Sequence, residues 1–163
     1  MNEQRFWKII ETAWQNLPLL DELRQQALQS NEASLFEGVS FGLNDEVVEE
    51  MESQLEKLTE QELTAFNHIM EEKLYTIDRE EIHKYTDGSD DGFLYCRGFI
   101  VGMGEQYYNE VNENPARATM DVEAESVCFI GYDVYEKRFG KEFERNTTYN
   151  IESCSNANGW SSE

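Results

Sequence analysis

Residues 87–99, Asp-Gly-Ser-Asp-Asp-Gly-Phe-Leu-Tyr-Cys-Arg-Gly-Phe, decide how the rest of the chain is read. Ser89 stands where a helix can begin. Its hydroxyl suits the first unpaired amides, and Asp90 and Asp91 suit the positive end of the helix dipole, together worth ~1 kcal/mol. From Phe93 onward, Cys96, Ile100, Met103, Tyr107 and Val111 keep one helical face apolar over five turns. That spacing predicts one long helix ended by Asn114-Pro115. A domain organised around such a helix is all-α.

The flanking sequence extends the pattern. Phe6, Ile9, Ile10, Ala13, Trp14 and Leu17 predict a first amphipathic helix stopping before Pro18. Leu19, Leu20, Leu23, Ala27 and Leu28 predict a second, to about Ser30. Residues 35–43, with two glycines among bulky apolar groups, read as a packed loop with a short strand in reach. Asn44 is then the expected N-cap of a helix burying Val47, Val48, Met51, Leu55 and Leu58. Thr59 and Glu62 form a capping box, so a new helix starts there, with Leu63, Phe66, Met70, Leu74 and Ile77 as its buried stripe. A short segment at Ile82–Tyr85 leads into the quoted loop. Asp121 is the expected cap of a last helix carrying Ala124, Val127, Ile130, Val134 and Tyr135 inward and ending near Gly140. The expectation is a single-domain irregular bundle of about six helices over residues 1–143, with a polar, loosely ordered tail over 144–163.

At 163 residues, 39% of them hydrophobic, the chain is long enough to bury a core. A net charge of −21 disfavours nucleic acid and anionic membranes as partners and favours basic proteins or cations. No segment reads as a leader or a membrane span. Cys96, Cys128 and Cys154 are three in number and widely spaced, which fits reduced thiols in a cytoplasmic setting.

Few residues carry a pattern for chemistry. Asp87, Ser89, Asp91 and Gly92 match the opening of a calcium loop, but Gly98 stands where a bidentate glutamate would close it. Arg97, on an apolar helix, calls for partners. Asp90 or Asp91 would give a structural ion pair or a small-molecule or metal site, enzymatic or sensory. His68 and His83 lack zinc spacing. No nucleophile setting is present. The expectation is therefore no catalytic residue, no metal ligand and no cofactor. A stronger pattern is the run 45–81, with thirteen acids against three bases. Glu49, Glu50, Glu52 and Glu56, with Glu71 and Glu72 from the next helix, are expected to form a negative patch for a basic protein partner.

With those residues in view, the chain resembles a bacterial domain-of-unknown-function family, number 4240. The resemblance rests on Phe6-Trp7 with Ile9-Ile10, on Ser89-Asp90-Asp91-Gly92-Phe93 followed by Arg97-Gly98, and on Asn114-Pro115. It continues weakly at Gly131-Tyr132, Tyr135-Glu136 and Gly140-Lys141-Glu142-Phe143. Phe99 stands where the family often has Trp, and residues 35–58 fit the pattern poorly. The resemblance implies a small helical cytosolic domain, sometimes beside other modules in regulatory or conflict-related bacterial proteins. It brings no reaction and no catalytic residues. The functional expectation is an acidic binding protein of immunity or antitoxin type, occluding a basic, nuclease-type toxin.

Overall fold

Asn2 starts the first helix in the computed structural model, which describes residues 1–161. Its side-chain oxygen accepts the Arg5 amide at 2.9 Å, opening α1 (Glu3–Gln15). The apolar stripe of α1 is buried as its spacing requires, and the Trp14 indole donates to the Gly102 carbonyl at 2.8 Å. Pro18 both stops α1 and occupies the first turn of α2 (Pro18–Ser30), where its missing N–H has no partner to lose.

Residues 35–43 are neither loop nor strand. α3 (Ala33–Gly42) passes through a wider π turn, Leu43–Val47, into α4 (Val48–Leu55). Glycine here serves close packing, not a bend. A Cβ on Gly42 would sit 2.6 Å from a Leu20 methyl, so its absence lets α2 lie against α3. Interior glycine costs ~1 kcal/mol of helix propensity. Burial of Phe36, Val39, Leu43 and Val47, at ~1.5–3 kcal/mol each, outweighs it. Nor is Asn44 a cap. Its amide donates to the carbonyls of Ser40 and Glu123, both at 2.9 Å, joining this helix to a distant loop.

The capping box forms as the sequence predicts and opens α5 (Glu60–Thr76). A single turn, α6 (Glu80–His83), precedes the motif loop. The long helix expected after that loop is two: α7 (Asp90–Gly102) and α8 (Glu105–Glu113). They break at Gly104, whose φ of 99° is a left-handed conformation that side chains disfavour. The freed Met103 carbonyl accepts the Arg24 guanidinium at 3.0 Å, and Arg24 is itself paired with Glu11 and Asp21. α9 (Glu125–Phe139) ends at Gly140, as expected, but Ala124 is its N-cap residue and Asp121 lies in the preceding loop.

The bundle thus has eight helices of eight residues or more plus one single turn, with no strand among the described residues. That is more than the six expected, because one expected helix is broken and one expected loop is helical. α7 runs through the middle, with Tyr95 the only residue from Gly92 to Gly102 that is not buried. It meets α9 at Gly98, where a Cβ would lie 2.5 Å from the Ala124 carbonyl oxygen. α5 meets α9 at Gly131, whose carbonyl accepts the buried Asn67 amide at 3.1 Å.

The segment after residue 143 runs back over α5, α6 and α7. Ile151 and Asn156 are buried, and Trp160 packs 5.3 Å from His83 and 5.9 Å from Phe93, ring centre to ring centre. Most of the expected tail is therefore laid against the bundle, and its last two positions lie outside the described residues.

Candidate functional site

The motif loop closes on itself first. Asp87 accepts the amide and hydroxyl of Ser89, and Ser89 accepts the Gly92 amide at 3.1 Å, which starts α7. Asp87 is thereby committed to the turn, and its hydrogen bonds with Ser89 hold its carboxyl below the usual range. A Cβ on Gly92 would strike the Asp87 carboxylate, so the motif glycine is required for this closure. Asp90 and Asp91 are exposed in the first turn of α7, where they complement its dipole.

Arg97 does not join them. It is fully buried, and its guanidinium donates to Leu74 O at 2.8 Å, Ile151 O at 2.9 Å and Ser153 Oγ at 3.2 Å. The Ser153 hydroxyl in turn donates to Asp90 O at 2.6 Å. Burial pulls the Arg97 pKa down, and the buried Asp78 carboxylate opposes that shift. Asp78 accepts the amides of Cys154 and Asn156 at 3.1 and 2.9 Å and the Trp160 indole at 3.1 Å. A buried cation and a buried anion thus fasten the C-terminal segment to the bundle. Asp90, Asp91 and Arg97 do not form one ligand-binding constellation. No group of three or more His, Cys, Asp or Glu side chains among the described residues is arranged to hold a metal.

The expected acidic patch is also redistributed. Glu71 is buried beneath Tyr132 and residue 146, its pKa raised first by that burial. Glu52 and Glu56 both pair with Lys137, at 2.9 and 2.8 Å, and Glu50 accepts the Asn16 amide. Glu49 and Glu72 remain exposed. The helix surface named by the sequence is therefore partly buried and partly neutralised.

A different acidic surface is assembled instead. A groove of about 380 Å³ lies between α4 and α9, its apolar lining supplied by Val48, Phe129, Ile130 and Val134. Glu52, Glu125 and Asp133 stand around it, against Lys137 alone. Burial raises the Asp133 pKa, and the charge of Glu52 adds to the effect. Next to Glu125, burial likewise raises Glu123, helped by the charges of Asp87, Asp121 and Glu125. Tyr95 is raised by burial and by Glu125 and Asp91, which places those acids beside it as well. Among the described residues, Asp87, Asp91, Asp121, Glu123, Glu125 and Asp133 form no ion pair with lysine or arginine. The charges of Asp87, Asp121 and Glu125 act on Glu123, so these acids repel one another, and a cationic surface placed over them would relieve that repulsion. Asp121, Glu123, Glu125 and Asp133 were not singled out from the sequence as binding residues. The only local signal was the acid at every second position from Asp121 to Glu125.

No helix is long and apolar enough to cross a membrane among the described residues. No curated protein and no solved structure matches the chain. One family does match, over residues 1–137, a span that includes the motif loop and the acidic helix at 48–55 and stops short of Gly140–Phe143. The chain belongs to that family, described as protein of unknown function (DUF4240).

Proposed function

We propose that this chain is a non-enzymatic binding protein of the cytoplasm whose α4/α9 groove, with the acidic arc beside it, docks a basic protein. The observation that carries this reading is the arc itself: among the described residues, Glu125 and Asp133 at the rim of an apolar-lined groove, and Asp87, Asp91, Asp121 and Glu123 on the Glu125 side of it, form no ion pair with lysine or arginine. Apolar side chains of the partner would anchor in the groove, while its lysines and arginines meet the arc. Such a division of labour gives fast, salt-sensitive encounter and a slowly dissociating core. A partner surface built to bind nucleic-acid phosphates has this charge, so occlusion of a nuclease-type toxin by an immunity protein or antitoxin is the favoured form of the activity.

The test is capture from the source cell followed by affinity measurement with the purified basic partner, in low and high salt. Glu125→Lys with Asp133→Lys places cations against the partner's own and weakens binding by about a hundredfold, since like-charge juxtaposition costs several kcal/mol. Glu72→Lys, away from the groove lining, leaves affinity within about twofold at high salt, because exposed charges beyond a Debye length are screened. Affinity that ignores salt and the double reversal alike would refute the assignment.

A further inference from the structure

A smaller cleft, of about 160 Å³, adjoins the α4/α9 groove, with Phe129 and Asp133 lining both. Phe129, Tyr132, Asp133 and Glu136 line it from α9, at the i, i+3, i+4 and i+7 spacing that sets side chains along one helix face. Glu142 and Arg145 line it from the chain beyond Gly140. Its walls are therefore rings and carboxylates.

The rings are fixed. The Tyr132 hydroxyl donates to the buried Glu71 at 2.8 Å, and the Tyr132 ring stacks on buried Phe143, with centres 5.2 Å and planes 17° apart. The Arg145 guanidinium lies 4.7 Å from the Tyr132 ring centre and 6.0 Å from that of Phe129. The chain thus displays how these rings receive a guanidinium, a planar cation drawn to their electron-rich faces.

Arg145 is weakly kept there. Its side chain is half exposed, and its one ion pair among the described residues runs to Glu152 at 4.0 Å. Asp133, Glu136 and Glu142 form no ion pair with lysine or arginine among those residues. Three carboxylates against one arginine leave the cleft net negative. The neighbouring backbone is held separately, by the Asn146 amide on both Glu71 oxygens at 3.2 Å, so the Arg145 side chain can leave the rings without releasing the segment. Arg145 also favours the ionised form of Glu71, and a guanidinium arriving at the same rings from outside supplies that charge again.

We propose that this cleft takes an arginine side chain of the docked basic protein, which stacks on Tyr132 and Phe129 in place of Arg145 and pairs with Asp133, Glu136 and Glu142. The inference rests on the docking reading above and adds a preference for arginine over lysine. An ammonium has no plane to lay on the rings and no fork for the carboxylates. Arg145 is then an internal competitor, whose removal strengthens binding.

The full chain is titrated at constant ionic strength with N-acetyl-arginine amide and, separately, with N-acetyl-lysine amide, which carry the same charge. Ring NMR signals of Phe129 and Tyr132 report the cleft, and those of the fully buried Tyr107 are the reference. The expected result is saturable movement of the cleft rings with Tyr107 unmoved, and affinity about two- to fivefold higher for the arginine probe. Arg145→Gln should tighten both probes, the arginine probe more, and Glu136→Gln with Glu142→Gln should weaken both. No movement, equal affinity for the two probes, or a gain in Arg145→Gln no larger for arginine than for lysine overturns the proposal. These titrations need no partner, so their failure is distinct from failure of the groove reading, which shows in the partner's affinity.

Discussion

Replacing Arg97 by methionine keeps the length and most of the apolar stem of the side chain while deleting its charge and donors. Three acceptors lose their bonds: Leu74 O, Ile151 O and Ser153 Oγ, at 2.8, 2.9 and 3.2 Å. The two carbonyls are buried, so water does not simply replace the guanidinium, and the buried Asp78 loses its nearby countercharge. Each charge-assisted bond is worth ~1.5–3 kcal/mol, and part of the sum is returned because methionine needs no hydration. Removing one partner from a buried charge system leaves a net loss of ~3–5 kcal/mol. That is a large share of the ~5–15 kcal/mol by which a domain is stable. At this chain length each kcal/mol moves the midpoint by ~2–4 °C, so thermal unfolding followed by circular dichroism should fall by ~6–20 °C. Urea unfolding gives the free energy independently. A midpoint within about 2 °C of the parent would refute the reasoning, because a change near zero would mean that Arg97 does not fasten the C-terminal segment.

Three further outcomes follow from other parts of the bundle. Gly98→Ala pushes a methyl against the Ala124 carbonyl and the Cys128 sulfur, both 2.5 Å from the new Cβ, and should lower stability by ~1–3 kcal/mol in urea titrations; Gly88→Ala, which meets nothing within 4 Å, should be near neutral. Glu71 has its pKa raised by burial, so the folded state holds its proton to higher pH than the unfolded chain does. Its unfavourable contribution grows as pH rises from the ordinary carboxylate range through the raised value. The stability of Glu71→Gln relative to the parent should therefore improve from pH ~4.5 to pH ~7, and a flat difference between the two would refute the assignment. Cys96 and Cys128 are buried with thiols pushed up to about 12, whereas Cys154 is exposed, so a thiol reagent should titrate one group in the native protein and three in denaturant.

What the sequence determined by itself is what short-range chemistry controls. The Thr59–Glu62 box, the Ser89 cap and the stop at Gly140 lie within one turn of the groups they serve, and each stands where it was read. The apolar stripes of α1, α5 and α9 were legible because helical period alone selects the buried face. Other features depended on which segments meet. Gly42 permits close helix contact and Gly104 breaks a helix, yet in sequence both are glycines in an apolar context. Asn44 resembled a cap until the Glu123 carbonyl, 79 residues away, was brought to its amide. Arg97 called for an acid, and folding gave it carbonyls 23 and 54 residues distant. The charge pattern shows the same limit. Composition fixed the net charge of −21, but packing buried Glu71, set Lys137 between Glu52 and Glu56 to offset part of their charge, and brought Asp87, Asp121, Glu123 and Glu125 within reach of one another's charge. Electrostatic potential depends on distance through space, so only the tertiary structure decided where this protein is acidic.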